Sequence, residues 1–194
     1  MNDASHGVPV IFGEVLFDCF PDGNSVLGGA PFNVAWHLQA FGLSPMVITS
    51  IGDDELGTKV KSAMMDWNMN TAGLQLDPLH PTGSVDIEFI DGEPRYTIVE
   101  HRAYDYIDAG LLPKLADSSL LYHGSLALRN QTSSEALSAL KHQHSNTVFM
   151  DVNLRDPWWN KDLLLKLADD ADWVKLNEDC LLYTSDAADD YFWV

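Results

Sequence analysis

The feature that most constrains the fold is an alternation of short apolar runs with amphipathic segments along most of the chain. The apolar runs have the length and the β-branched content of buried strands, and they lie at residues 8–17, 46–51, 119–125, 147–152 and 173–176. Between them apolar residues recur at helical spacing, as in residues 54–68, where Leu56, Val60 and Met64 share one face. Strands separated by helices predict an α/β fold with a doubly wound, mostly parallel sheet.

The middle of the chain has a different period. Residues 82–90 (TGSVDIEFI) and 95–99 (RYTIV) alternate between polar and apolar side chains, and Asp91-Gly92 between them is a hairpin turn signal. Two strands joined without a helix do not belong to a doubly wound sheet. We therefore predict a small β flap inserted into the α/β fold.

A glycine-rich turn at residues 28–33 (GGAPFN) runs directly into a helical segment that ends at Gly42. Gly28 and Gly29 allow the backbone to approach a ligand, and Pro31 suits the first turn of a helix, where a missing N–H costs nothing. The free N–H groups of that turn and the amide of Asn33 suit a polyhydroxylated ligand better than a bare phosphate. The local chemistry fits a plain glycine-rich connection equally well.

Polar side chains follow several of the predicted strands. Asp18 comes directly after the first run, at the place where open α/β sheets bind ligands, although Pro21-Asp22-Gly23 makes an ordinary loop acid the alternative. Asp151 lies in the fourth run, and Asn153 and Arg155 continue from it at a period of two, which places Asp151 and Asn153 on one side if the strand continues that far. A structural ion pair between Asp151 and Arg155 is the other interpretation.

Helix starts are also readable from the sequence. Asp53 is placed to cap the helix of residues 54–68, and residues 132–135 (TSSE) form a capping-box pattern at the start of another helix. Asp156 and Pro157 fit the cap and first position of a further helix. These acids therefore have a structural explanation that needs no ligand.

The charge balance excludes several classes of function. The 194 residues carry 11 basic and 29 acidic side chains, a formal charge of −18, which argues against a surface for nucleic acids or anionic membranes. Cys19 and Cys180 give no disulfide framework and the seven histidines no metal-ligand spacing, and the first residues lack a signal-peptide pattern. We expect a cytoplasmic protein without a metal site of its own.

Two groups of motifs together resemble a known family. Residues 28–35 (GGAPFNVA), Gly42 and residues 51–57 (IGDDELG) resemble the N-terminal signature of the ribokinase and fructokinase family, the phosphofructokinase-B-type sugar kinases. The strand ends at residues 121–129 (LYHGSLALR), 151–155 (DVNLR) and 174–178 (VKLNE) resemble those of bacterial fructokinases. The resemblance implies a ribokinase-like fold and transfer of the γ-phosphoryl group of ATP, with Mg²⁺, to a small sugar, fructose being the first expectation.

The resemblance also implies roles for individual residues. It assigns sugar binding to Asp18, Gly28, Gly29 and Asn33, with Ser125 and Arg155 as further candidates, and it assigns Asn177 to the organisation of phosphate and metal. Residues of about 14–27 and 82–104 would form a β lid that excludes water from the sugar site and that could also form a homodimer contact.

The sequence departs from the family pattern near its end. The family carries a glutamate three positions after the asparagine that matches Asn177, and here that position is Cys180. Residues 180–190 (CLLYTSDAADD) resemble the translation of a transposon adaptor used in sequencing libraries. We therefore predict a ribokinase-like N-terminal part at residues 1–179 and a non-native tail at 180–194, with a genuine acidic extension as the alternative.

The general base of the family is also missing from this sequence. That base is an aspartate in a Gly-x-Gly-Asp turn, and no such turn occurs here. No catalytic residue is assigned, and we expect the 194-residue chain to be inactive and to bind neither ATP nor Mg²⁺ tightly.

Two rival functions stay open at this point. A nucleoside kinase or a keto-deoxy-sugar-acid kinase of the same family would differ only in its acceptor. A non-catalytic module that binds a small ligand or a dinucleotide would place a pyrophosphate on the glycine turn, although no Gly-x-Gly-x-x-Gly motif follows a strand here.

Overall fold

The structure, a computed structural model, describes residues 7–90, 92–115, 118–143 and 147–177. The strands in chain order are β1 Val8–Phe12, β2 Leu16–Cys19, β3 Ser25–Gly28, β4 Met46–Gly52, β5 Leu74–Asp77, β6 Gly83–Ile90, β7 Glu93–Ile98, β8 Ser118–His123, β9 Thr147–Asp151 and β10 Trp173–Lys175. The helices are α1 Ala30–Ala40, α2 Glu55–Asp66, α3 Gln131–Gln143 and α4 Lys161–Asp169. Short 3-10 segments lie at Ala103–Tyr106, Ala109–Leu111 and Leu126–Arg129.

The main sheet has six strands in the order β10-β9-β8-β1-β4-β5, and its pairings are parallel. Its two faces are covered by different helices. Val10 and Phe12 of β1 pack in one apolar cluster with residues of α3 and α4, and Ile11 packs in another with residues of α1 and α2. The predicted doubly wound α/β fold is confirmed.

The strand order reverses next to β1. The chain passes from β1 to β4 and β5 on one side, and it then returns to β8, β9 and β10 on the other side. The carboxyl ends of β1 and β8 therefore flank the switch point at which open α/β sheets bind their ligands.

The second sheet has four strands in the order β3-β2-β6-β7. The predicted hairpin is present as β6 and β7, which pair antiparallel, and Asp91 of its turn lies outside the described residues. The segment after β1 adds two strands, because β2 pairs antiparallel with β3 and parallel with β6. The flap is thus a sheet built from two distant segments.

The prediction of one strand over residues 8–17 is wrong. β1 ends at Phe12 in the main sheet, and β2 begins at Leu16 in the second sheet. Gly13 makes the break with φ of +145°, and a Cβ there would lie 2.6 Å from Cγ of Pro31, so only glycine fits beneath the start of α1. Asp18 consequently lies within β2 and not after the end of a main-sheet strand.

The predicted cap of α2 is shifted by one residue. Asp54, not Asp53, is the N-cap, and its Oδ1 accepts a 2.7 Å hydrogen bond from the N–H of Gly57. The same carboxylate also accepts bonds from the N–H of Thr82 at 2.8 Å and from its hydroxyl at 2.7 Å. Asp54 therefore joins the start of α2 to the start of β6.

The capping-box interpretation of residues 132–135 is wrong. Asn130 lies before α3, and its Oδ1 accepts a 3.0 Å bond from the N–H of Thr132. The hydroxyl of Ser133 instead donates to the carbonyl of Tyr104 at 2.8 Å and accepts from the N–H of Ile107 at 2.9 Å. This side chain fastens α3 to the 3-10 segment that follows the second sheet.

Asp156 and Pro157 do not begin a helix. They lie in a turn with a cis peptide bond between them, and α4 begins later, at Lys161. Asn160 caps this helix by accepting a 3.0 Å bond from the N–H of Leu163. The turn leaves residues 153–158 as a loop at the ligand-binding edge of the main sheet.

The predicted tail at 180–194, with Cys180, lies outside the described residues, so the boundary after residue 179 stays a prediction. No helix in the described ranges is long and apolar enough to cross a membrane.

Candidate functional site

A cleft of about 600 Å³ opens between the second sheet and the carboxyl edge of the main sheet. Its size falls in the range of small-molecule sites. Its lining comes from β2, α1, β6, β7, the 3-10 segment after β8 and the loop after β9: Glu14, Leu16, Asp18, Gly29, Ala30, Asn33, Val85, Tyr96, Ile98, Leu126, Asn153, Leu154, Arg155 and Asp156. The cleft thus brings together Asp18, Gly29, Asn33 and Arg155 of the candidate residues.

Asp18 enters the cleft because of the strand period. Leu16 and Asp18 lie two residues apart on β2 and share the face that lines the cleft, opposite to Phe17, which is buried in the core. Partial burial raises the pKa of Asp18 above its ordinary value of 3.8, and the positive charge of Arg155 acts in the opposite direction.

The glycine turn has the geometry that its sequence suggests. Gly29 has φ of +107°, and a Cβ on it would lie 2.7 Å from the carbonyl oxygen of Glu14. Gly28 ends β3 opposite Leu16 and does not line the cleft, but a Cβ on it would lie 3.7 Å from Oδ2 of Asp18. The turn therefore needs glycine at Gly29 and allows Asp18 to lie close to Gly28.

Asn33 stands in the first turn of α1. Its backbone N–H donates a 2.8 Å hydrogen bond to the carbonyl of Gly29, which fixes the start of the helix, and its side chain is exposed on the cleft. Asn33 and Asp18 therefore reach the same cavity from two different elements.

Glu14 is the functional candidate that the sequence patterns missed. It lies between β1 and β2, is 5% exposed and lines the cleft, and its Oε2 has no hydrogen-bond partner among the described residues. Burial raises its pKa from 4.5 to about 7, although the N–H groups of Glu14 and Ala30 and the charge of Arg129 act against this. A charged residue inside the apolar run of residues 8–17 was the available signal.

The loop after β9 forms another wall. Arg155 is exposed on the cleft, and its carbonyl accepts a 2.7 Å bond from the N–H of Trp158. Ser125 does not line the large cleft, but it lines a smaller adjoining pocket with Asn153 and Arg155. The two further candidates are therefore neighbours at the end of the cleft.

Asp151 has a structural environment. Its Oδ2 accepts a 2.7 Å bond from the hydroxyl of Tyr122, and Nζ of Lys175 lies 2.9 Å from its Oδ1. The partner of this carboxylate is thus Lys175, and the alternative of an ion pair with Arg155 is wrong. β9 also ends at Asp151, so Asp151 and Asn153 are not successive members of one strand face.

Asn177 follows β10 and is not among the residues that line the cleft. The described ranges hold no group of three or more His, Cys, Asp or Glu side chains that could bind a metal ion.

The second sheet supplies the remaining wall. Val85 and Ile98 are cross-strand neighbours of β6 and β7, and Tyr96 beside them is 64% exposed over the cavity. Apolar and aromatic side chains therefore face the polar groups of Asp18, Asn33 and Arg155. Tyr96 was not predicted, because strand alternation does not show which sheet face meets the cleft.

Comparisons with known proteins agree with this architecture. Fructokinase from Salmonella typhimurium is 28% identical over 193 residues, which cover 92% of this chain and 63% of that protein. Fructokinase from Klebsiella pneumoniae is also 28% identical, with the same shares covered. The chain thus spans 63% of the length of these relatives.

Solved structures show the same fold. Fructokinase from Vibrio cholerae O395 in apo form has a TM-score of 0.84 and 25% identity, and it covers 92% of this chain and 66% of its own. Aminoimidazole riboside kinase from Salmonella enterica, solved with aminoimidazole riboside and an ATP analog, has a TM-score of 0.81 at 23% identity and covers 93% and 63%.

The family model described as pfkB family carbohydrate kinase matches residues 18–188. The matched range contains every candidate residue from Asp18 to Asn177, and it overlaps the beginning of the predicted tail. Because the family model matches well over half of the 194 residues, the chain belongs to the pfkB family of carbohydrate kinases.

Proposed function

We propose that this chain is the acceptor-binding part of a sugar kinase whose intact form transfers the γ-phosphoryl group of ATP to a small neutral sugar, fructose first. The single observation that carries the proposal is the cavity shared by Asp18, Asn33 and Arg155 at the switch point of the sheet. Carboxylate, amide and guanidinium groups together can accept from and donate to several hydroxyl groups. The fructokinase names of the relatives support the choice of fructose.

The charges of the cleft favour a neutral acceptor over a sugar acid. Asp18, Asp156 and Glu14 line the cavity with Arg155 as the one lining cation among the described residues. A carboxylate ligand would meet an excess of like charge, which costs binding energy in a partly desolvated site. A neutral sugar or a nucleoside would not, so the keto-deoxy-sugar-acid acceptor is the less favoured alternative.

The start of α1 also disfavours the dinucleotide-binding alternative. The carboxyl group of Glu14 is buried at that helix end, where the N–H of Ala30 acts to lower its pKa. A pyrophosphate would compete with this side chain for the same N–H group.

We assign the lid role to the second sheet, with the limits of about residues 14–27 and 82–104 given by the resemblance. Tyr96 and Ile98 stand over the cavity, and closure there would exclude water, which competes with the sugar as phosphoryl acceptor. In the intact enzyme, ATP would supply the phosphoryl group, and Mg²⁺ would neutralise the charge on the phosphates. In the proposal this chain contributes only the positioning of the sugar, and Asn177 contributes to the phosphate side.

The test is calorimetric titration of the 194-residue chain with D-fructose, D-ribose, adenosine, 2-keto-3-deoxygluconate and NAD. We expect a neutral sugar, fructose first, to bind and the anionic compounds to bind more weakly or not at all. We also expect no ATP-dependent phosphorylation, and transfer to any sugar by this chain would contradict that part. Binding of NAD alone would support the dinucleotide module instead.

We further propose that a second copy of the chain contacts the cleft-facing side of the second sheet. Val26, Phe89 and Tyr96 are more than half exposed, and the strand register places all three on that side. Light scattering should show a dimer that Phe89→Asp converts to a monomer. A monomeric wild-type chain at high concentration would rule this out.

A further inference from the structure

Arg129 holds the exit of the second sheet in place. Its side chain is 8% exposed, and its Nε and Nη2 donate to the two carboxylate oxygens of Asp105, each at 2.8 Å. Nη2 also donates to the carbonyl of Val99 at 2.8 Å and to the hydroxyl of Tyr104 at 3.0 Å. Val99 directly follows β7, so this guanidinium fixes the backbone at the point where the chain leaves the sheet.

The other side of the same guanidinium contacts the loop after β9. Cζ of Arg129 lies 4.8 Å from the ring centroid of Trp158, a cation–π distance. The N–H of Trp158 donates to the carbonyl of Arg155 at 2.7 Å, and Arg155 lines the cleft. A displacement of Trp158 would therefore be passed to Arg155 through one short hydrogen bond.

The apolar contacts between these parts form one cluster. Leu16 of β2, Val85 of β6, Tyr104 and Leu126 are buried together, and Trp158 packs against them. Leu16, Val85 and Leu126 also line the cleft. The cluster beneath Arg129 is thus shared by the second sheet, the main-sheet edge and the loop.

We infer that Arg129 is a positioning residue that couples the second sheet to the loop of residues 153–158, so that two walls of the cleft take their positions together. Arg129 does not line the cleft itself. Its consequence for sugar affinity rests on the proposed function, whereas the coupling is a property of the fold and can be measured without a sugar.

The chemistry of arginine suits this role. A planar guanidinium can bind a carboxylate through two parallel bonds and stack on an aromatic ring at the same time, whereas the lysine ammonium has no such fork. Arg129→Lys therefore keeps the charge beside the buried Asp105 and removes the geometry that joins the two segments.

The direct test is hydrogen–deuterium exchange of the sugar-free chain. In Arg129→Lys we expect exchange to rise about 10-fold in both residues 99–105 and residues 155–159, with α1 and β4 unchanged. A merely structural role would raise exchange throughout the chain, and an increase confined to one of the two segments would overturn the coupling.

Arg95→Lys is the matched control, because Arg95 lies on β7 with its side chain exposed. Trp158→Leu breaks the same contact from the loop and decides the question if Arg129→Lys does not fold.

The functional consequence is measured by titration with D-fructose. We expect both variants to bind it about 10-fold more weakly than the wild type and Arg95→Lys to bind it equally well. Equal binding by all variants would overturn the inferred effect on the site. If the wild type binds no sugar, the proposed function is wrong, and the exchange comparison still decides whether Arg129 couples the two segments.

Discussion

Asp18 and Asn33 face one cleft from two elements, Asp18 from the middle of β2 and Asn33 from the first turn of α1. The two residues are brought together because β2 and β3 return the chain to the start of α1, where Gly29 makes the turn. Because Asp18 and Asn33 are far apart in the sequence, their carboxylate and amide groups form one surface only in the folded chain.

Asp18→Asn should weaken fructose binding by about 10- to 100-fold, because it removes a charged hydrogen-bond acceptor and keeps the shape of the side chain. Asp86→Asn is the control, since Asp86 is exposed on the opposite face of the same sheet. Calorimetric titration of both variants with fructose measures the difference in affinity, and equal losses of affinity in the two variants would show that Asp18 has no direct role.

Gly29→Ala should lower the free energy of unfolding by about 2–4 kcal/mol, because Gly29 has φ of +107° and a Cβ would lie 2.7 Å from a backbone oxygen. Gly42→Ala, with φ of +78° and open space around it, should cost about 1 kcal/mol. Urea denaturation measures both, and similar costs would mean that the turn can relax around the added methyl group.

The sequence predicted what depends on local period and local chemistry. Strand and helix alternation identified the α/β fold, and the hairpin of β6 and β7 followed from alternating side chains. The break of the first run was missed because the run stays mainly apolar on both sides of Gly13, with Glu14 as its one charged residue. The contact that requires the break is with Pro31, far along the chain.

Other features were missed or misplaced because the local sequence alone does not determine them. Asp53 and Asp54 are chemically equal as caps, and the choice is made by Thr82, which lies 28 residues away. β5 escaped prediction because the sequence LQLD alternates over too few residues to be read as a strand. Arg129 belongs to no motif that fixes its role, and its contacts with Asp105 and Trp158 exist only in the folded chain.

Asp54→Ala should lower the free energy of unfolding by about 2–3 kcal/mol near neutral pH, because it removes the cap of α2 and both bonds to Thr82. Asp53→Ala, at an exposed site, should change the free energy of unfolding by less than about 0.5 kcal/mol.

Burial raises the pKa of Asp54, but the hydrogen bonds from Thr82 and Gly57 outweigh it, so the pKa is below 3.8 in the folded chain. Its contribution is therefore present above the unfolded pKa of 3.8 and is lost as the pH falls through the folded value. Denaturation of the two variants at several pH values checks the assignment, and a larger loss in Asp53→Ala would contradict it.

Glu14→Gln should stabilise the chain at alkaline pH and not at acid pH. Burial raises the pKa of Glu14 from 4.5 to about 7, so the folded state binds a proton that the unfolded state releases. The free energy of unfolding of the wild type therefore falls as the pH rises from the unfolded to the folded value, and the penalty is complete above it. Glutamine has the same shape and cannot ionise, so the variant should be more stable by about 1–3 kcal/mol at pH of about 8 and equal to the wild type at pH of about 4, below the unfolded pKa. Glu88→Gln, at an exposed site, is the control for net charge. Urea denaturation across this range measures the difference, and a gain of the same size at both pH values would show that the effect does not come from ionisation of Glu14.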